Sequence, residues 1–185
     1  MMSSMQKYVE IKVQDLVASG TTTNDETGNL KLEDSGAAFD TDGTAVGDIV
    51  WDTSDDRMYT VAAIDNATNL SLTAIGAASG TGLNTGKAYK IYDISSYSKQ
   101  LVATDGVVII ENASADPINS EVNIQYGGAS GIMVKVTHAA AAAGDEMMRD
   151  ALEDTVEESM YNAWPIVKYE PRTPLPSYVL EIAKV

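Results

Sequence analysis

The chain has 185 residues, 44% apolar and 21% charged, enough to bury the core of one domain or of two small ones. Its formal net charge of −15 repels phosphate backbones and argues against nucleic-acid binding, and the absence of cysteine removes disulfides, thiolate nucleophiles and Cys-based zinc or iron–sulfur sites. No apolar run reaches the roughly 18 residues of a membrane span, and the opening stretch MMSSMQKYVEIKV lacks the apolar centre of a secretion signal, so synthesis in the cytoplasm without signal-peptide export is expected.

Tyr8 to Val13 alternates, with Val9, Ile11 and Val13 on one side and Tyr8, Glu10 and Lys12 on the other, which predicts a half-buried strand. Leu16–Ser19 could extend it after a bend, and GTTTNDETG (20–28) reads as a surface loop. Short strands follow at 30–32, 47–52, 58–64, 70–73 and 88–92, separated by turn-forming stretches at 53–56, 65–68 and 76–86. Strands of this length at such spacing suggest a small antiparallel barrel or sandwich.

Ser95–Ser98 breaks the pattern. Val107–Ile110 is a short apolar strand, residues 112–120 form a loop around Pro117, and the segments 121–126 and 132–137 flank Gly127-Gly128 as a hairpin. Gly144–Trp164 is the one long amphipathic helix. At 100° per residue Met148, Ala151, Leu152, Thr155, Val156, Ser159 and Ala163 share one side. Glu146, Asp150, Glu153, Asp154, Glu157 and Glu158 share the other. Asp145 suits the N-cap, Pro165 forbids continuation, and no cation lies in the last turn to face the negative end of the dipole. Three prolines stiffen residues 169–177, and 178–183 closes the chain as a strand.

A helix with one apolar face needs a sheet to cover. The second half therefore predicts an α+β domain of β-β-β-α-β order. The opening strand joins it, giving residues 1–19 plus 96–185 as one domain and 20–95 as an inserted small antiparallel β-barrel or sandwich. Two tandem domains, with the first strand in the barrel, are the alternative.

These residues carry a resemblance. DGVVIIENAS (105–114), VNIQYGG (122–128), VKVTHA (134–139) and AGDEMMRDALEDTVEESMYNAW (143–164) resemble small virion structural proteins of tailed bacteriophages, of the marine or cyanobacterial phage type. GDIVWDT, ATNLSLT and GKAYKIY, within residues 39–92, are similar to a small β module of phage structural proteins. The resemblance implies a non-enzymatic virion protein, made in the host cytoplasm, that decorates or stabilises the capsid in many copies. A tail-associated adaptor or tube component is the alternative. It implies a homo-oligomer bound to other virion proteins, with no catalytic residue, cofactor, metal, nucleic acid or membrane partner.

His138 is the only histidine, so no His–His metal pair or triad can be built, and a polar role at a strand end is expected. Asp40-Thr41-Asp42-Gly43 resembles the start of a calcium loop, but Asp48 is not at the closing position, and Asp52, Asp55 and Asp56 read as a hairpin cap where a divalent ion could collect. The glycines at 76–86 and 127–131 fit turns, not a phosphate loop. The acidic helix side could dock a basic neighbour or simply be solvated. Trp51, Tyr59, Tyr89 and Tyr92 could serve a host-surface or glycan-binding module, or lie in the core. Leu152→Asp is expected to abolish the thermal transition of the helix-bearing domain by burying an unpaired charge; a variant that melts like the parent, followed by circular dichroism, would show that this side is not buried.

Overall fold

The computed structural model describes residues 6–24, 29–75, 82–112, 121–127, 133–139, 144–170 and 178–184, with the backbone alone for 144–148. The chain divides into two compact units. Unit 1 comprises Met1–Val13, Ser98–Ala115 and Ser120–Val185, and unit 2 comprises Gln14–Tyr97 with Asp116–Asn119. The cuts at 13/14 and 97/98 fall inside two long strands, β1 (Tyr8–Thr21) and β6 (Ala88–Ala103).

In unit 2, β2 (Lys31–Glu33), β3 (Ile49–Asp52), β4 (Arg57–Asn66) and β5 (Asn69–Ala74) join β6 and β1 in the order β2-β5-β4-β3-β6-β1. Turn chemistry sets the hairpins. Asp52 Oδ1 accepts the amides of Ser54 and Asp55 at 3.0 and 3.1 Å, and Asp56 supplies the left-handed residue at φ 53°. Asn66 Oδ1 accepts the Thr68 amide at 2.9 Å and closes β4 onto β5. The core gathers Leu32, Val50, Tyr59, Leu70 and Ile91 around Phe39, the chain's one phenylalanine, whose ring lies 6.1 Å from that of Tyr89. Gly82 permits a close backbone approach, since a Cβ there would strike the carbonyl oxygens of Asn29 and Lys31.

In unit 1 the order is β6-β1-β11-β9-β8-β7, with β7 (Val107–Asn112), β8 (Glu121–Tyr126), β9 (Met133–Ala139) and β11 (Tyr178–Lys184). A further strand, β10 (Ile166–Lys168), pairs with β1 in parallel, Tyr8 opposite Ile166 and Glu10 opposite Lys168. β11 then takes up the parallel pairing at Val13, opposite Val179. Glu10 pairs with Lys168 and Val13 with Val179, so β1 changes partner within three residues. The expected stiff stretch at 169–177 lies outside the described residues beyond Glu170.

The helix α1 (Gly144–Tyr161) lays Ala151, Leu152, Thr155, Val156 and Ser159 into the core with Val9, Ile11, Val122, Ile124 and Val136. Thr155 and Ser159 return their hydroxyls to the carbonyls of Ala151 and Val156, so neither buried side chain leaves a polar group unpaired. The missing cation at the helix end comes from far away in sequence. Lys7 Nζ donates to the carbonyls of Met160 and Asn162 at 2.7 and 2.9 Å.

Several expectations are corrected. The fold is not α+β. Among the described residues eleven strands against one helix make it a mainly β protein, mixed parallel and antiparallel, with the helix covering part of one sheet face. The strands of unit 2 follow one hydrogen-bonded path, not the expected closed barrel or two-sheet sandwich. Residues 95–98 do not end a strand, because β6 continues to Ala103. The helix stops at Tyr161, leaving Ala163 outside it and exposed, and the expected loop at 112–120 lies outside the described residues beyond Asn112. Replacing Lys7 with Met should cost about 1 kcal/mol by stripping a charged donor from the last helical carbonyls; faster amide exchange confined to the final turn of α1 is the expected signature, and unchanged exchange there would contradict the cap.

Candidate docking groove

The surface that stands out lies between α1 and the segment that follows it. Leu152, Val156 and Ser159 point inward, which turns positions 154, 157, 158 and 161 outward along one helical stripe. β10 alternates, burying Val167 and exposing Ile166 and Lys168. The two elements bound a groove of about 800 Å³ whose lining includes Asp154, Glu157, Glu158, Tyr161, Ile166, Lys168 and Glu170. Four carboxylates stand against one ammonium. Large apolar side chains also face solvent here: Tyr161 is 87% and Trp164 73% exposed, with Met160 and Ile166 about half exposed.

The predicted docking face is thereby divided. Asp154, Glu157 and Glu158 line the groove, Asp150 and Glu153 are exposed outside it, and the side chain of Glu146 lies outside the described residues. Arg149 pairs with its neighbour Asp150 at 2.8 Å. Glu157, Glu158 and Glu170 have no ion pair among the described residues.

The other candidates resolve differently. His138 is fully buried, and neither ring nitrogen has a hydrogen-bond partner among the described residues. Burial pulls its pKa down to about 3, so the ring is neutral. His138 does lie at the end of β9, as expected, but buried and without the polar role expected. Asp40 is exposed, and Asp42 Oδ1 accepts the Thr44 amide at 2.9 Å. Asp48 is buried and accepts the Ala45 amide at 2.7 Å; burial raises its pKa above the usual range. Asp52 is likewise raised by burial while it caps its turn, Asp55 pairs with Lys87 at 2.6 Å, and Asp56 accepts the Trp51 indole N–H at 2.8 Å. Among the described residues no group of three or more His, Asp or Glu side chains is placed to hold a metal ion.

Tyr59, Tyr89 and Tyr92 are buried, and Trp51 is half-buried with the Lys90 ammonium 5.4 Å from its ring. The most exposed aromatics among the described residues are Tyr161 and Trp164, with Tyr97 less so, and the helical wheel alone does not mark them. One buried polar pair had no sequence signal: Tyr89 Oη donates to Asp34 Oδ2 at 2.8 Å, and burial drives the phenol pKa up. Gly20 leaves space for the pair, because a Cβ there would strike the Asp34 carboxylate and sit 2.7 Å from Tyr89 Oη.

No family model and no curated protein matches the chain. A search of solved structures finds similarity to the phage phi92 endosialidase. The alignment has 14% identity and a TM-score of 0.27, and it covers 91% of this chain. The chain spans only 29% of the endosialidase chain. A likeness at that score carries no argument about fold or activity.

The buried His138 has a consequence for stability. Its folded pKa lies below the unfolded value of 6.5, so the unfolded chain binds the extra proton between those values and stability falls with pH. From pH 7.5 to pH 5.0 this single group should remove about 2 kcal/mol. His138→Leu loses no hydrogen bond and should be as stable as the parent at pH 7.5, yet more stable by that margin at pH 5.0; parallel urea-unfolding curves for the two proteins across this range would refute the assignment.

Proposed function

We propose that this chain is a non-enzymatic structural protein of a phage virion, present in many copies and decorating or stabilising the capsid. The observation that carries an interface role is the solvent-facing set Met160, Tyr161, Trp164 and Ile166, of which Tyr161 and Ile166 line the acidic groove. Exposed aromatics clustered within a short stretch of surface are the usual anchors of protein–protein contacts. The resemblance of residues 105–164 and 39–92 to tailed-phage virion proteins supplies the setting. The partners on this reading are further copies of the chain and other virion proteins, and the net charge of −15 disfavours packaged nucleic acid as a contact. The glycan-binding alternative loses support because Tyr59, Tyr89 and Tyr92 are buried.

Quantitative mass spectrometry of purified particles, separated into capsids and tails, tests the proposal. The chain should be found in many copies in the capsid fraction. Recovery in tails alone would move it to the tail-associated role, and absence from both fractions would overturn the virion assignment.

A further inference from the structure

We propose that His138 is an acid-sensitive latch, whose protonation parts the strand β11 from β1 and β9 while unit 2 keeps its structure. The inference does not depend on the virion reading. It starts from a histidine in an unfavourable place. His138 is fully buried, and neither Nδ1 nor Nε2 has a hydrogen-bond partner among the described residues. Such a ring gives up the hydrogen bonds that water would supply, a loss that leucine at the same position would not suffer. The ring also sits where β11 is joined to its neighbours. His138 lies opposite Val179, and the same Val179 makes the register pair with Val13 of β1. Directly beyond it the β9–β11 register shifts, between Val179 and Glu181, so Leu180 has no counterpart on β9. A bulge interrupts the ladder at that point.

Nothing among the described residues is placed to receive an imidazolium. Cross-strand partners share a face, so His138 stands with Val179 and, two residues along β9, with Val136, both members of the apolar core. Lys135, Thr137 and Ala139 face the other way, and with them their counterparts Glu121 on β8 and Tyr178 and Glu181 on β11. On β1, Glu10 and Lys12 alternate away from Val13. α1 gives this core Ala151, Leu152 and Val156 and keeps Asp150, Glu153, Asp154, Glu157 and Glu158 exposed. The phenols of Tyr126 and Tyr169, which pack in the core, are neutral in acid. Burial alone therefore governs the ring. Once β11 moves aside, water reaches the ring and its ordinary proton affinity returns, so the open form gains below about pH 6.5. From pH 7.5 to pH 5.0 the ratio of open to closed chains should rise about 30-fold. Unit 2 responds in the opposite sense: burial raises the pKa of Asp48 and Asp52, so their protonation favours the folded form.

The test is amide hydrogen exchange of the full chain, read by mass spectrometry at pH 7.5 and pH 5.0 and expressed as protection factors. Protection of β11 should fall about 30-fold at the lower pH, while β3, β4 and β5 keep theirs. His138→Leu should hold the protection of β11 level between the two conditions. Equal falls across β8 and α1 would show unit 1 unfolding as a whole, and a fall in β11 that persists in His138→Leu would assign it to other groups. Either result overturns the latch, as does no fall at all. Should the variant not fold, the parent decides alone. With a single histidine in the chain, its ring gives one set of NMR signals, and these should remain those of a neutral imidazole in the closed form at pH 5.0. A ring that titrates near pH 6.5 while β11 stays protected would overturn the inference.

Discussion

Unit 1 depends on one pairing: the opening strand β1 holds both C-terminal strands along the same edge, β10 at Tyr8–Glu10 and β11 at Val13. β9 runs antiparallel to β11 and hence to β1, and the chain passes over the sheet face before β10 takes its place parallel to β1. α1 is that crossing. Its burial of Leu152 and Val156 beside Val9 and Ile11 supplies apolar contact across most of the chain's length in sequence. Backbone bonds extend the zipper past the strand itself: Tyr8 donates to the Pro165 carbonyl and Tyr169 to the Glu10 carbonyl, each at 2.9 Å. Lys7 adds its bonds to the helix end from the residue next to Tyr8. A few residues near the start of the chain thus organise its last forty.

What was legible in the residues was whatever repeats locally. The period-2 runs at 8–13, 58–64, 70–73, 88–92 and 121–126 are strands because alternate side chains meet a core, and the alternation is printed in the sequence. The buried side of α1 was legible for the same reason from Ala151 to Ser159. What escaped was structure held by backbone alone. The second half of β6 is largely exposed and rich in serine, so its side chains carry no pattern even though its main chain is paired. β10 is three residues long beside a proline and exists only because β1 is there to receive it. The α+β expectation erred through contrast: one continuous helix is conspicuous, whereas eleven strands, several very short, are dispersed through turns.

The candidate groove was half legible. Its acidic wall could be drawn on a helical wheel, but the division of that wall required β10, which turns three of the carboxylates toward Ile166, Lys168 and Glu170 and leaves Asp150 and Glu153 outside. The helix was expected to run to Trp164; it ends at Tyr161, and both rings face water. His138 and the Tyr89–Asp34 pair show the opposite case. Their placement is set by long-range burial, and neither residue type at those positions announces it.

The division of unit 1 into separate stretches of chain bears on the order in which the molecule is made. Apart from four residues, unit 2 is a single run from Gln14 to Tyr97, and it is complete once that run has left the ribosome. Val9, Ile11 and Val13 precede it; β6 supplies one edge partner and Val102 to their core, but their other edge is filled only by β10 and β11, which come last in the sequence. Until those strands exist, one edge of an apolar strand stays without its ladder partner. The charges of Glu10 and Lys12, alternating with those apolar residues, are of the kind that disfavours edge-to-edge pairing of such a strand with another copy.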